Sequence, residues 1–148
     1  MDFHPAAGWQ IRPFRPGPDR AGCERVFEAC VGEFSWLDTA QSLPAGWSSP
    51  GCGLAIHVAE VRQAGLVGFI MFNPETGYVS YLLVERDWRL CGIGRGFLAG
   101  AREVTGRALS LDVDRQNRRA RAAYEALGFQ PVATRTAADR EQIRMRAA

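Results

Sequence analysis

Val84-Glu85-Arg86-Asp87-Trp88-Arg89-Leu90-Cys91-Gly92-Ile93-Gly94 is the stretch at which an apolar run gives way to a helical one. Before it, Tyr78-Val79-Ser80-Tyr81-Leu82-Leu83 is β-branched, aromatic and apolar, the composition of a buried strand. After it, Ile93, Phe97, Ala101 and Val104 recur at helical spacing, with Arg95, Arg102 and Glu103 between them. The glycines therefore stand where a strand turns into a helix. The first N–H groups of a helix have no internal partner and carry the positive end of its dipole, and residues without a Cβ let an anion approach them closely. Arg89 and Arg95 add formal charge nearby. The stretch reads as a phosphate or pyrophosphate cradle, or else as a tight connection with no ligand.

Two nucleotide-binding alternatives can be weighed directly. A Walker-type loop needs Gly-Lys-Ser/Thr, and the chain has no lysine. A dinucleotide fingerprint needs a third glycine where Phe97 stands, although Asp112 lies near the distance of a ribose-binding acid.

Composition narrows the classes further. A length of 148 residues suits one domain, 1–148, around a single core. No apolar run is long enough to span a membrane, and the amino terminus lacks a basic region followed by an apolar stretch, so the cytoplasm is the expected compartment. Cys23, Cys30, Cys52 and Cys91 form no Cys-x-x-Cys pair, and His4 and His57 have no metal-ligand spacing, so reduced thiols and no metal site are expected. The 18 arginines are interspersed with 16 acids, a net charge of only +2, too mild a balance to point by itself to nucleic acid, which is not an expected partner.

Outward from the central stretch, Ile11–Arg15 reads as an edge strand, since Pro13 removes a ladder donor. Asp19 then suits a helix N-cap, and Cys23, Val26, Phe27, Cys30, Val31 and Phe34 follow at steps of three and four. Ser35 to Gly53 is mostly irregular, with a short helix at 38–43 as an option; Trp36 and Trp47 line a pocket or lid the core. Leu54–Val61, Leu66–Phe72 and Tyr78–Val84 read as an antiparallel meander. The helix from Gly92 to about Thr105 leads to a strand at Leu109–Val113, a right-handed parallel crossover that makes the sheet mixed. Asn117, Ala120, Tyr124 and Leu127 share one face of a last helix ended by Gly128, and strands near 130–135 and 142–147 complete the sheet.

Element order and two motifs together resemble the GNAT superfamily of N-acetyltransferases over roughly Ile11 to the end. The first motif is a valine followed by Arg/Gln-x-x-Gly-x-Gly/Ala, here Val84 and Arg89 to Gly94. The second is Asn117, Ala120, Tyr124 and Gly128-Phe129. The resemblance implies an α/β (α+β) fold, a mixed, mostly antiparallel sheet of about six to seven strands flanked by about four helices. It also implies acetyl-CoA, or a related acyl-CoA, as acyl donor. Backbone amides of Arg89, Leu90, Cys91, Gly92, Ile93, Gly94 and Arg95 would hold the pyrophosphate. Leu82, Leu83 and Val84, where the family strand bulges, would pair with the pantetheine arm. Asn117 would bond the cofactor, serve as a plain N-cap, or do both. Arg118, Arg119 and Arg121 would reach a 3′-phosphate or form a solvated basic face.

By the same resemblance, Tyr124 stabilises the departing thiolate, and the N–H of Val84 receives the developing oxyanion. Where several relatives carry a glutamate as base, this chain has Tyr78; Glu75, His57 or a water held by Ser80 or Tyr81 are the substitutes, and none stands out. The expected partner is a small-molecule amine acceptor, with a homodimer left open. A protein amino terminus as acceptor, a non-catalytic acyl-CoA-binding regulatory module and an enzyme acylating aminoacyl-tRNA are the competing readings.

Overall fold

A computed structural model describes residues 2–4, 8–31, 43–49, 51–89, 91–137 and 140–147. The strands are β1 (Asp2–His4), β2 (Trp9–Pro13), β3 (Ala55–Val61), β4 (Gly65–Phe72), β5 (Tyr78–Val84), β6 (Leu109–Asp114), β7 (Phe129–Ala137) and β8 (Arg140–Ala147). The helices are α1 (Arg20–Val31), α2 (Ile93–Thr105) and α3 (Arg118–Ala126), with a 3₁₀ turn at Arg86–Trp88. One sheet runs β1-β2-β3-β4-β5-β6-β8-β7, and only β5 and β6 pair in parallel. The mixed, mostly antiparallel architecture is as expected. Among the described residues the strand count is eight, because β1 adds a short edge, and the α-helix count is three rather than about four; positions 38–42 of the optional extra helix lie outside the described residues.

The sheet separates two apolar cores. On one side α1 packs Cys23, Val26, Phe27, Cys30 and Val31 against Val58, Leu66, Phe69 and Met71. On the other, α2 packs Ile93, Phe97, Leu98 and Ala101 against Ile11, Val67, Ile70, Val79 and Leu111. The stepped residues of both helices are thus the buried ones, save Val104, which is 54% exposed in the last turn where α2 runs past the sheet. Phe34 and Trp36 lie outside the described residues. Trp47 is buried against Phe14, ring centroids 5.4 Å apart, and so lids the α1 core.

Two readings near the amino terminus need correction. The strand Trp9–Pro13 is not an edge, since β1 pairs with Trp9, Gln10 and Ile11; Pro13 is tolerated because it lies beyond the last of those pairs. Asp19 precedes α1, but its carboxylate does not cap the helix. It takes a fork from Arg12 (2.7 and 2.9 Å) and the N–H of Arg15 (2.7 Å), and Arg12 also reaches Glu60 on β3 at 3.0 Å. Burial pushes the Asp19 carboxyl up, and the Arg12 and Arg15 hydrogen bonds more than offset this, holding it below the usual carboxylate range.

Asp19 and Arg12 side chains are 5% and 4% exposed, so removing one partner leaves a buried charge uncompensated. Asp19→Ala is expected to cost about 3–5 kcal/mol, a fall in melting temperature of roughly 6–20 °C. The apolar pair Arg12→Met/Asp19→Leu should cost far less. Equal losses in the two variants would show that shape, not charge pairing, holds this corner.

Candidate active site

β5 and β6 are paired at Tyr78↔Ser110 and Val79↔Leu111 only. Beyond Val79, β5 continues along β4 and β6 along β8, so the two strands part and leave a slot between Ser80–Val84 and Asp112–Asp114. Gly77 sets the closed end. Its φ is +81°, and its carbonyl accepts from Ser110 N–H at 3.0 Å; a Cβ there would collide with the Ala108 carbonyl oxygen.

Backbone alternation decides what the slot offers. Glu85 N–H donates to Val67 O (2.8 Å) and Asn73 N–H to Tyr78 O (2.9 Å), so residues 85 and 78 both bond toward β4. A regular strand cannot do this over an odd separation. The register slips between Met71↔Tyr81 and Phe72↔Val79, which makes Ser80 the bulged residue. The bulge therefore lies just before Leu82–Val84 rather than within it. By inverting the alternation it turns the N–H groups of Leu82 and Val84 toward the slot, while Leu83 bonds to β4.

At the slot's open end stands the glycine turn. Gly92 has φ +90°, and the first intrahelical bond of α2 runs from Gly96 N–H to Gly92 O at 3.0 Å. The N–H groups of Ile93, Gly94 and Arg95 precede that bond and point out of the helix. The glycines differ in purpose. A Cβ on Gly96 would fall 2.7 Å from Ile11, whereas one on Gly94 meets nothing within 4 Å. Space in front of Gly94 and free amides behind it fit a phosphate.

Arg89 does not face that space. Its N–H bonds to Arg86 O at 3.3 Å, its Nε donates to Val84 O at 2.8 Å, and its Nη2 lies 4.0 Å from Cys30 Sγ. Of the amides expected at the pyrophosphate, Arg89's is thus engaged, and its side chain clamps the end of β5. Cys91 is exposed, and its carbonyl accepts from the Trp9 indole at 3.2 Å, which ties the turn to β2. Arg95 is exposed. Leu90 lies outside the described residues.

α3 supplies the second half. Asn117 Oδ1 accepts from Ala120 N–H at 3.1 Å, the N-cap bond. Tyr124 is half-buried and stacks at a tilt on Phe129, centroids 5.7 Å apart. Its side chain and those of Leu82 and Val84 pack on the same α2-side core, so helix and slot share one side of the sheet. Burial pushes the Tyr124 phenol up to about 12. No hydrogen bond reaches its hydroxyl among the described residues. Arg118 and Arg121 line a cavity of about 610 Å³ with Asp114, Arg115, Arg140 and Glu141, between the start of α3 and the β7–β8 hairpin.

The candidate bases are dispersed. His57 is on β3, packed on Phe72 (5.2 Å) and close to Gly100 of α2, two strands from the slot. Glu75 is exposed in the β4–β5 turn, and Tyr81 packs between Phe27 and Phe69, where burial raises its phenol. Tyr78 donates to Asp112 at 2.8 Å. Burial and that bond push the phenol up to about 12, so it is no base at neutral pH. Asp112, considered above only as a ribose acid, is a feature the sequence reading missed; its polar alternation with Ser110 and Asp114 was the available signal. Among the described residues no group of His, Cys, Asp or Glu could hold a metal, and no helix is long and apolar enough to cross a membrane.

Comparison with known proteins agrees with this geometry. Residues 19–129 match the model of the acetyltransferase (GNAT) family. A mycothiol acetyltransferase of Kineococcus radiotolerans is 31% identical over 140 residues, which is 87% of this chain and 45% of that protein, so the chain spans less than half of that relative. A crystal structure of nourseothricin acetyltransferase superposes with a TM-score of 0.71 at 20% identity, over 95% of this chain and 98% of that one. The structure of yncA from Salmonella typhimurium with its cofactor acetyl-CoA gives 0.70 at 16% identity, over 94% and 92%. The match spans three quarters of the chain, which belongs to the GNAT acetyltransferase family.

Proposed function

We propose that this chain transfers an acetyl group from acetyl-CoA to a primary amine of a small molecule. The observation that carries the reading is the slot: inward-turned amides of Leu82 and Val84 at its wall, free amides of Ile93, Gly94 and Arg95 at its end, and Tyr124 on the same side. An extended chain ending in phosphates matches that order, with the amides of Leu82 and Val84 pairing to it as a strand would and Asn117 beside it. The small acceptor is favoured by the β7–β8 connection, which is only residues 138 and 139, too short for a loop that would cover a peptide. Among the relatives, the transferases named for mycothiol and nourseothricin fit the same preference, while a ribosomal-protein-S18-alanine N-acetyltransferase of Escherichia coli, which shares the fold, keeps a protein amino terminus as the alternative acceptor.

When bound, acetyl-CoA supplies a thioester carbonyl for the amine to attack. The N–H of Val84, fixed by the Ser80 bulge and by the Arg89 clamp on its own carbonyl, would donate to the carbonyl oxygen as charge builds there. The Tyr124 hydroxyl would donate to the sulfur. With the phenol near 12 and a thiol near 8.5, complete proton transfer is uphill by roughly 5 kcal/mol, so Tyr124 acts as a hydrogen-bond donor to the thiolate; as the C–N bond forms and the C–S bond breaks, the proton lost by the amine balances the charge of the departing thiolate.

Three outcomes test this. Acetyl-CoA at one hundred times its dissociation constant should add about 2.7 kcal/mol and raise the melting temperature by roughly 5–11 °C, with no effect from NAD; no response to any CoA thioester removes the donor assignment. Gly94→Val should abolish that rise while leaving the ligand-free midpoint within a few degrees, because its side chain enters open space in front of the amides. Tyr124→Phe should keep the rise and lose on the order of 10²-fold in turnover. Unchanged turnover would remove Tyr124 from the chemistry.

A further inference from the structure

On β6, Leu109, Leu111 and Val113 are buried toward α2, so Ser110, Asp112 and Asp114 face the other side of the sheet. On β8, Ile143 and Met145 do the same, and Gln142 and Arg144 face with Asp112. α1 covers β4 and β5 on that side, and among the described residues no helix covers β6, β8 and β7 there. Among the described residues this half of the face carries no covering helix, yet its charges are ordered. Asp112, 5% exposed, accepts from Tyr78 Oη (2.8 Å), Arg144 Nε (2.7 Å), Arg144 Nη2 (3.0 Å) and Arg135 Nη1 (3.3 Å). The Arg144 guanidinium also lies over the Tyr78 ring, 5.3 Å from its centroid.

One carboxylate holding two guanidiniums leaves a net charge of +1. Asp112's oxygens are filled, whereas Arg144 and Arg135, 35% and 50% exposed, engage only two and one of their five N–H donors on it. Two forks pinned side by side, with unused donors toward solvent, are the arrangement that recognises a carboxylate or a phosphate. Position adds to this. Tyr78 and Asp112 flank the last β5–β6 pair, at the closed end of the slot, and the Val84 amide proposed for the carbonyl is five residues beyond Val79 on the same strand, at most about 16 Å at about 3.3 Å per residue. Tyr124 and the glycine turn lie on the α2 side, so a donor held by both fills that side, and an acceptor enters from the opposite face.

We infer that the acceptor carries an anionic group, a carboxylate or a phosphate, in addition to its amine, and that Arg135 and Arg144 bind it beside the slot. This rests on the acyl-transfer reading above. The test is a panel of primary amines in matched pairs: α- and ω-amino acids against their decarboxylated amines, and O-phosphoethanolamine against ethanolamine, the two sets distinguishing carboxylate from phosphate. The expected result is at least tenfold higher kcat/KM for the anionic member of one set. Arg135→Gln and Arg144→Gln should each raise KM for that acceptor by about 10- to 100-fold, the scale of a charged hydrogen bond, with the KM for acetyl-CoA unchanged. Arg135→Gln removes the more exposed partner and keeps Asp112 paired to Arg144, so it tests recognition without unfolding the face. Transfer to neutral and anionic amines alike, or an unchanged acceptor KM in both variants, overturns the inference and leaves the transferase reading standing. No transfer together with no acetyl-CoA stabilisation overturns both.

Discussion

Where β5 and β6 part, a sheet is left with two rows of backbone groups that no strand pairs. Such an edge has to be solvated or matched by something else, and it is tolerated only if the rest of the fold holds the two halves in place. Here the halves are held by long ladders on the outer sides, β4–β5 and β6–β8, and by α2, whose apolar stripe lies across both. The closed end is fixed by Gly77, which lets the β4–β5 turn approach Ala108. At the far end, Arg89 clamps the Val84 carbonyl and the Trp9 indole clamps that of Cys91. The slot walls are set by this interruption, and the turn and helix beside it by their own contacts.

Charge is handled on the same principle in two places with opposite balance. At Arg12, Asp19 and Glu60 a buried guanidinium meets two acids, one of them buried, and ties β2, β3 and the start of α1 into a corner. At Asp112 a buried acid meets two partly exposed guanidiniums. The first cluster has its cation enclosed and is structural. The second directs surplus positive charge outward, on a sheet face next to the slot that no helix among the described residues covers. In a chain without lysine, each of these contacts uses the planar fork, which fixes direction as well as charge.

Much of this fold could be read along the sequence because the relevant signals are local. The stepped apolar residues of α1, the strand-to-helix junction at Gly92 and the cap at Asn117 depend on neighbours within one or two turns. What escaped depends on partners far away in the chain. Asp19 looks like a cap until Arg12 is placed beside it by β2. The Ser80 bulge is set by the register against β4 and not by any residue type. Arg89 looks like a phosphate ligand until the end of β5 brings Val84 O and Cys30 to it, the latter 59 positions away. The Asp112 cluster joins residues 32 and 34 apart, on strands whose order in the sheet, β6-β8-β7, is not their order in sequence.

The division of the interior into two cores has a consequence for how such a protein can change. Side chains under α1 and side chains under α2 do not touch, since the sheet's backbone lies between them, and substitutions without shared partners tend to add independently. The slot and the glycine turn, moreover, present mostly main-chain amides, which persist whatever side chains surround them. A lineage could therefore rework the α1 side of the sheet while the α2 side stayed as it was. Keeping one face and reinventing the other are, in this architecture, nearly separate problems.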